Sequence, residues 1–181
     1  MKRRCAAAAL LILCVFLTCG AGLAPERLIV VDADVQRVYF YREGELIRSW
    51  PCAVGKTATP SPLGVFRING KHVNWGTGFG TRFLSIDCPW GKYGIHGTNR
   101  PGSIGWNASH GCIRMLNRDI EELYALVQIG TKVIIERSSF GNLADGLRVL
   151  RPGDRGSDVY ELQLRLRNAG CYWGFPDGVK P

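Results

Sequence analysis

The stretch Tyr93–Asn117, YGIHGTNRPGSIGWNASHGCIRMLN, carries two of the chain's three histidines and one of its cysteines in a Gly-rich segment. His96 follows an apolar run that ends at Ile95, and His110 stands two residues before Cys112. A thiol with nearby imidazoles is the minimum equipment of a cysteine nucleophile. The thiolate is the attacking form, and a cysteine of ordinary pKa, about 8.5, is only slightly ionised near neutrality unless a base takes its proton. Glycines beside the thiol let backbone N–H groups approach a developing oxyanion, where one preorganised donor lowers the barrier by roughly 3 to 4 kcal/mol. Gly111 and Cys112 are the candidates for such donors. A cysteine taken singly is more often a small buried hydrophobe, and a lone histidine a satisfied loop residue. The clustering of the three favours chemistry.

Working outward, Arg27–Val31 and Arg37–Tyr41 are β-branched and aromatic runs separated by Asp32-Ala33-Asp34, and Glu43-Gly44 makes a further turn before Leu46–Val54. These read as a meander of strands. Thr59-Pro60-Ser61-Pro62 is a stiff loop, because each proline fixes its own backbone and extends its predecessor. Gly64–Ile68 and Arg82–Ile86 follow as strands on either side of the Gly-rich segment Gly76–Gly80. Short strands punctuated by turn residues predict a mainly β domain, a sandwich or barrel. One helix is expected from Asn117 as its N-cap, with Asp119, Glu121 and Glu122 suited to the helix dipole and Ile120, Leu123, Tyr124 and Val127 on one face. It should end by Gly130, and Thr131–Glu136 should close the domain as a strand.

The chain has 181 residues, 46% of them apolar and 21% charged, which is globular composition with room for one domain and a small module. Lys2, Arg3 and Arg4 precede a charge-free run from Cys5 to Ala24. Residues 1–24 therefore read as a secretory signal peptide, or as an uncleaved N-terminal anchor that would be the protein's only link to a membrane. Without those three basic residues the formal charge of +8 falls to +5, which suits an anionic cell envelope. The basic residues are scattered and secretion removes the partner, so nucleic acid is not expected. Removal of the leader leaves Cys52, Cys88, Cys112 and Cys171. With Cys112 free as a nucleophile, Cys52 and Cys88 are the only pair inside the first domain that a disulfide could join, and spacing does not say whether they meet. A zinc site from His72, His96, His110 and Cys112 lacks any standard ligand spacing.

His96-Gly97-Thr98, followed across the loop by Ser109-His110-Gly111-Cys112-Ile113-Arg114, resembles the signature of the L,D-transpeptidase catalytic domain of the YkuD type. The resemblance extends through Thr59–Phe66, Gly80–Ile86 and Val133–Ile135, covering residues 26–137. It implies an L,D-transpeptidase-type β-sandwich with one packed helix. It also implies a monomeric cell-wall enzyme that needs no metal or organic cofactor. Its cysteine attacks the carbonyl joining the third and fourth residues of a peptidoglycan stem peptide, and the fourth residue, a D-amino acid, leaves. A side-chain amine of a neighbouring stem then resolves the thioester into a cross-link between third residues. Resolution by water would make the enzyme an L,D-carboxypeptidase.

Under this resemblance Cys112 is the nucleophile and His96 the general base, with the Gly111 and Cys112 N–H groups as oxyanion donors and His110 in support. Arg114 can fork onto a stem carboxylate, and Gly97, Thr98, Ser109 and Tyr93 complete the expected substrate surface. Trp75, Phe79, Trp90, Tyr93 and Trp106 are candidates for apolar cleft walls. A non-catalytic wall-binding protein and a cysteine peptidase of ordinary L,L specificity are the rival readings.

Residues 138–146 read as a linker. Beyond it, Leu150, Gly153, Gly156, Val159, Leu162, Leu166, Gly170 and Asp177-Gly178 resemble the start of a small three-helix peptidoglycan-binding domain, so 147–181 is expected to be a partial module of that kind. Its first helix should be capped by Ser157, carry Val159, Leu162 and Leu166 on one side, and stop at Gly170. Together these features predict a secreted protein of the cell wall or envelope.

Overall fold

The computed structural model of the protein describes residues 26–137 and 149–179. The expected leader and linker lie outside them. Strands β1 (Arg27–Asp32), β2 (Arg37–Arg42) and β3 (Glu45–Pro51) form the expected antiparallel meander. Alternation turns Ile29 and Val31 of β1, and Val38 and Phe40 of β2, into the core with no exposed surface. The short β4 (Val54–Gly55) follows, then β5 (Gly64–Val73), β6 (Arg82–Ile86), β7 (Tyr93–His96), β8 (Asn107–Ser109), β9 (Ile113–Arg114) and β10 (Lys132–Glu136).

Eight strands make one sheet in the order β3-β2-β1-β10-β5-β6-β7-β9, and β4 pairs with β8. The last strand, β10, enters the middle of the sheet and runs parallel to β1, from Leu28↔Lys132 to Asp32↔Glu136. Although β3 and β9 end the strand order, Ala53, two residues past β3, exchanges 2.8 Å hydrogen bonds in both directions with Arg114 of β9. The mainly β expectation thus holds in a particular form. A single curled sheet supplies the facing layers and its two edges meet beside the Cys112 loop.

Helix α1 (Asn117–Leu126) packs on β6 and β7 through Ile120 and Leu123, with Val127 buried just beyond its end. The expected cap is different. Leu116 occupies the N-cap position, and Asn117, the first helical residue, turns its Oδ1 to accept the Thr81 N–H at 3.3 Å. The helix stops at Leu126, before Gly130 as expected.

Helix α2 (Ser157–Asn168) ends as its sequence predicts: Gly170 N–H donates to Arg167 and Cys171 N–H to Leu166, a Schellman arrangement. The side-chain amide of Gln163, nearly buried, ties Asp177, Gly178 and Val179 back onto this helix. Ser157 does not cap it. Gly156 holds the N-cap position, and the Ser157 hydroxyl instead accepts the Leu63 N–H of the first domain at 2.7 Å. Tyr160 packs against Trp90 with ring centroids 5.2 Å apart, Gly178 lies on the same indole, and Val179 joins the core margin. Val159 is buried, whereas Leu162 and Leu166, on the side expected to be covered, are exposed.

Cys52 and Cys88 are buried as separate thiols. Burial pushes both up to about 12, so neither ionises near neutrality. Among the described residues no helix is long and apolar enough to cross a membrane.

Candidate active site

Two short strands build the site. Parallel pairing of β7 with β9 aligns Ile95 with Ile113 and His96 with Arg114. Ile95 and Ile113 point into the core, with 0% and 1% exposure. The period of two therefore turns His96 and Arg114 to the opposite face, and Cys112, one residue before β9, to the face it shares with Arg114. Imidazole, guanidinium and thiol emerge side by side from rigid, paired backbone.

His96 is only 3% exposed. Its ring stacks on Phe83, its cross-strand partner, at 5.5 Å and 13°, and meets the edge of Phe79 at 5.0 Å. A side chain on Gly94 would collide with the Phe83 ring, so the glycine makes room for this stack. His96 Nδ1 lies 2.5 Å from the Gly97 carbonyl oxygen. A carbonyl only accepts, so Nδ1 carries the proton and Nε2 keeps its lone pair. Burial lowers the imidazole to about 4, helped by the Arg114 charge and opposed by backbone contacts with Gly97 and Phe79. Burial likewise raises the Cys112 thiol, against a hydrogen bond from the Gly94 backbone and the nearby Arg114 charge. Desolvation thus favours the uncharged form of both groups, and the resting pair is thiol and neutral imidazole.

The turn into Cys112 is stapled by Ser109, which has no exposed surface. Its hydroxyl accepts the Gly111 N–H at 3.0 Å and donates to the Cys112 carbonyl at 2.5 Å. Its own carbonyl accepts from Lys56 N–H and Thr59 Oγ1. Gly111 adopts φ +115°, and a Cβ there would stand 2.5 Å from the Tyr93 ring, so only glycine fits. The Gly111 N–H, an expected oxyanion donor, is bonded to the Ser109 hydroxyl in this structure, and Ser109, an expected substrate contact, is bonded within the turn. The Cys112 N–H has no protein acceptor among the described residues.

The remaining candidates separate. Tyr93 is half-buried against Gly111, and burial raises its phenol. Gly97 is buried beneath the Asn117 side chain. His110 is exposed to solvent. Thr98, 5% exposed, accepts the Arg100 N–H on its hydroxyl at 3.0 Å. A cleft of about 340 Å³ opens next to Arg114, lined by Thr77, Gly78, Thr98, Asn99, Arg100 and Arg114. Its lining holds no aromatic residue: of the expected aromatic walls, Trp90 is in the core, Trp106 stands in solvent and Trp75 stacks on His72 and Phe83, whereas Phe79 lies against the His96 ring and Tyr93 against Gly111. Sequence reasoning missed Phe83, Arg100 and Asn117. Arg100 alone had a local signal, being four residues after His96 in the loop that follows β7.

Residues 26–135 match the L,D-transpeptidase catalytic domain, the YkuD family. A Bacillus licheniformis protein named as an L,D-transpeptidase YkuD is 44% identical over 107 residues, covering 59% of this chain and 64% of that protein. Its Bacillus subtilis counterpart is 41% identical over 109 residues, covering 60% and 65%. The chain spans slightly less than two thirds of the length of either relative. Among solved structures, an L,D-transpeptidase from Mycobacterium smegmatis superposes with a TM-score of 0.56 at 25% identity, over 62% of this chain and 59% of that one. An avibactam carbamoyl enzyme, Ldtfm, does so at 0.55 and 30% identity, over 63% and 50%. The matched residues run from β1 almost to the end of β10 and include every element that builds the site, and the chain belongs to the L,D-transpeptidase catalytic-domain family.

Proposed function

We propose that the chain is an L,D-transpeptidase that acts on peptidoglycan stem peptides through a thioester on Cys112 and cross-links their third residues. The observation that carries this reading is the emergence of thiol, imidazole and guanidinium on one face of the paired β7 and β9. As Cys112 Sγ bonds to the carbonyl carbon of the third residue, His96 Nε2 takes the thiol proton. The proton then passes to the nitrogen of the departing fourth residue as the C–N bond breaks. In the second half, the acceptor amine bonds to the thioester carbonyl and loses a proton to Nε2, and the sulfur leaves and recovers that proton. The Gly97 carbonyl, on Nδ1, holds the imidazole in the tautomer this exchange requires. The Cys112 N–H is the remaining backbone donor for the oxyanion. The carbamoyl enzyme formed by avibactam on Ldtfm supports covalent chemistry in a similar fold.

Cys112 is half-buried, so water also has access to the thioester, and hydrolysis to an L,D-carboxypeptidase outcome is the second reading. The enzyme is proposed to work as a monomer outside the cytoplasm, in the cell envelope. The segment 149–179 is proposed to help hold the peptidoglycan substrate. It exposes Trp173 and Phe175, whose faces suit sugar rings.

The test is mass analysis of products from tetrapeptide stems, with and without an acceptor amine. Wild type should release the fourth residue and yield a cross-link between third residues. Cys112→Ala, folded by circular dichroism, should keep less than roughly one tenth of that turnover, because its side chain forms the covalent bond. Turnover comparable to wild type overturns the assignment.

A further inference from the structure

The cleft next to Arg114 is lined by two arginines, Arg100 and Arg114, and by no acidic residue. Arg114 makes one long contact, 3.4 Å, to the Ala108 carbonyl, and neither Arg114 nor Arg100 has a carboxylate partner among the described residues. The loop carrying Arg100 is braced at both ends. Its N–H is held by Thr98, and its carbonyl accepts both the N–H and the hydroxyl of Ser103, at 3.0 and 2.7 Å. Arg114 is anchored by the exchange with Ala53 that joins the sheet edges. Two cations on stiff backbone, facing one polar cleft without internal neutralisation, are preorganised for an anion, and the guanidinium fork matches a planar carboxylate.

Resting on the stem-peptide reading above, we propose that Arg100 and Arg114 form a carboxylate subsite through which the enzyme selects stem peptides that keep a free carboxylate near the scissile bond. Arg114 is two residues from Cys112 on the same face, so the bound carboxylate sits close to the attacked carbonyl. At about 340 Å³, the cleft takes one amino-acid residue rather than a whole stem. Two carboxylates could fill it: the C-terminal carboxylate of the fourth residue, or a side-chain carboxylate of the second or third.

The experiment measures tetrapeptide binding to Cys112→Ala protein by calorimetry, using a stem with all carboxylates free, one amidated only at its C-terminus, and one amidated only on its side chains. One of the amides should bind about tenfold more weakly, and which one names the carboxylate. Adding Arg100→Gln or Arg114→Gln should abolish the discrimination, and Arg100→Lys should restore part of it. Equal binding of all three stems, or discrimination that survives Arg100→Gln, overturns the subsite.

Should no stem bind, the stem-peptide reading itself fails, and a measurement on protein with Cys112 intact then decides the subsite alone. It is the ratio of Cys112 alkylation rates by iodoacetate and iodoacetamide, read on the Cys112 peptide by mass spectrometry. The ratio cancels any change in thiolate fraction. The subsite requires it to drop about threefold or more in Arg100→Gln, as expected when a charge-assisted contact is lost, and an unchanged ratio overturns the subsite.

Discussion

Because His96 is enclosed by Phe83 and Phe79, its charged form is disfavoured and its pKa falls from 6.5 to about 4. The base must be neutral to accept the thiol proton, so activity is lost as pH falls through the folded-state value. The acid limb of kcat/KM should therefore lie near pH 4, with activity retained through pH 5 to 6, where an exposed imidazole of ordinary pKa would already be mostly charged. A limb centred near 6.5 would mean that the ring is solvated or that another group is the base. His96→Ala should cost about 100-fold or more in kcat/KM, and His110→Ala much less. His110 is exposed, whereas His96 is fixed in position and tautomer by its neighbours. A loss confined to His110→Ala would exchange the two roles.

At the scale of the element, the β8–β9 turn depends on one buried hydroxyl that satisfies the Gly111 N–H and the Cys112 carbonyl together. Ser109→Ala leaves both groups buried without that partner and should destabilise the protein by about 1 to 3 kcal/mol in denaturant unfolding. It should also lower kcat, because the turn aims the thiol. Unchanged stability would show that the turn is held elsewhere. The strands themselves were legible in the sequence, since the alternation in Arg27–Val31 and Arg37–Tyr41 is a local property. The helix caps were not. Asn117 and Ser157 have the right chemistry for N-caps, but each side chain bonds a backbone N–H of another element, Thr81 or Leu63. A cap contributes only about 1 kcal/mol, so an unpaired donor brought close by folding can redirect the side chain.

For the whole molecule, the segment 149–179 and the first domain share packing. Tyr160 covers Trp90, and Ser157 satisfies the Leu63 N–H. A chain truncated after Arg137 should lose several degrees of Tm, the effect of about 1 to 3 kcal/mol on a domain of this size. Tyr160→Ala in the full chain should show part of the same loss. No change in either melting curve would mean that the segment contributes nothing to the first domain's stability.

The sequence by itself determined the mainly β class, the meander, the amphipathic stretch of α1, the stop at Gly170 and the His96 and Cys112 constellation. All of these are written in residue type and spacing along a few consecutive positions. Only the tertiary structure decided the parallel entry of β10 beside β1, the meeting of the sheet edges at Ala53 and Arg114, the use of the Gly111 N–H by Ser109, and the union of Arg100 with Arg114 in one cleft. Each joins groups whose separation in the chain leaves no periodic trace. Partner choice there rests on which polar groups remain unsatisfied once the apolar faces have been buried.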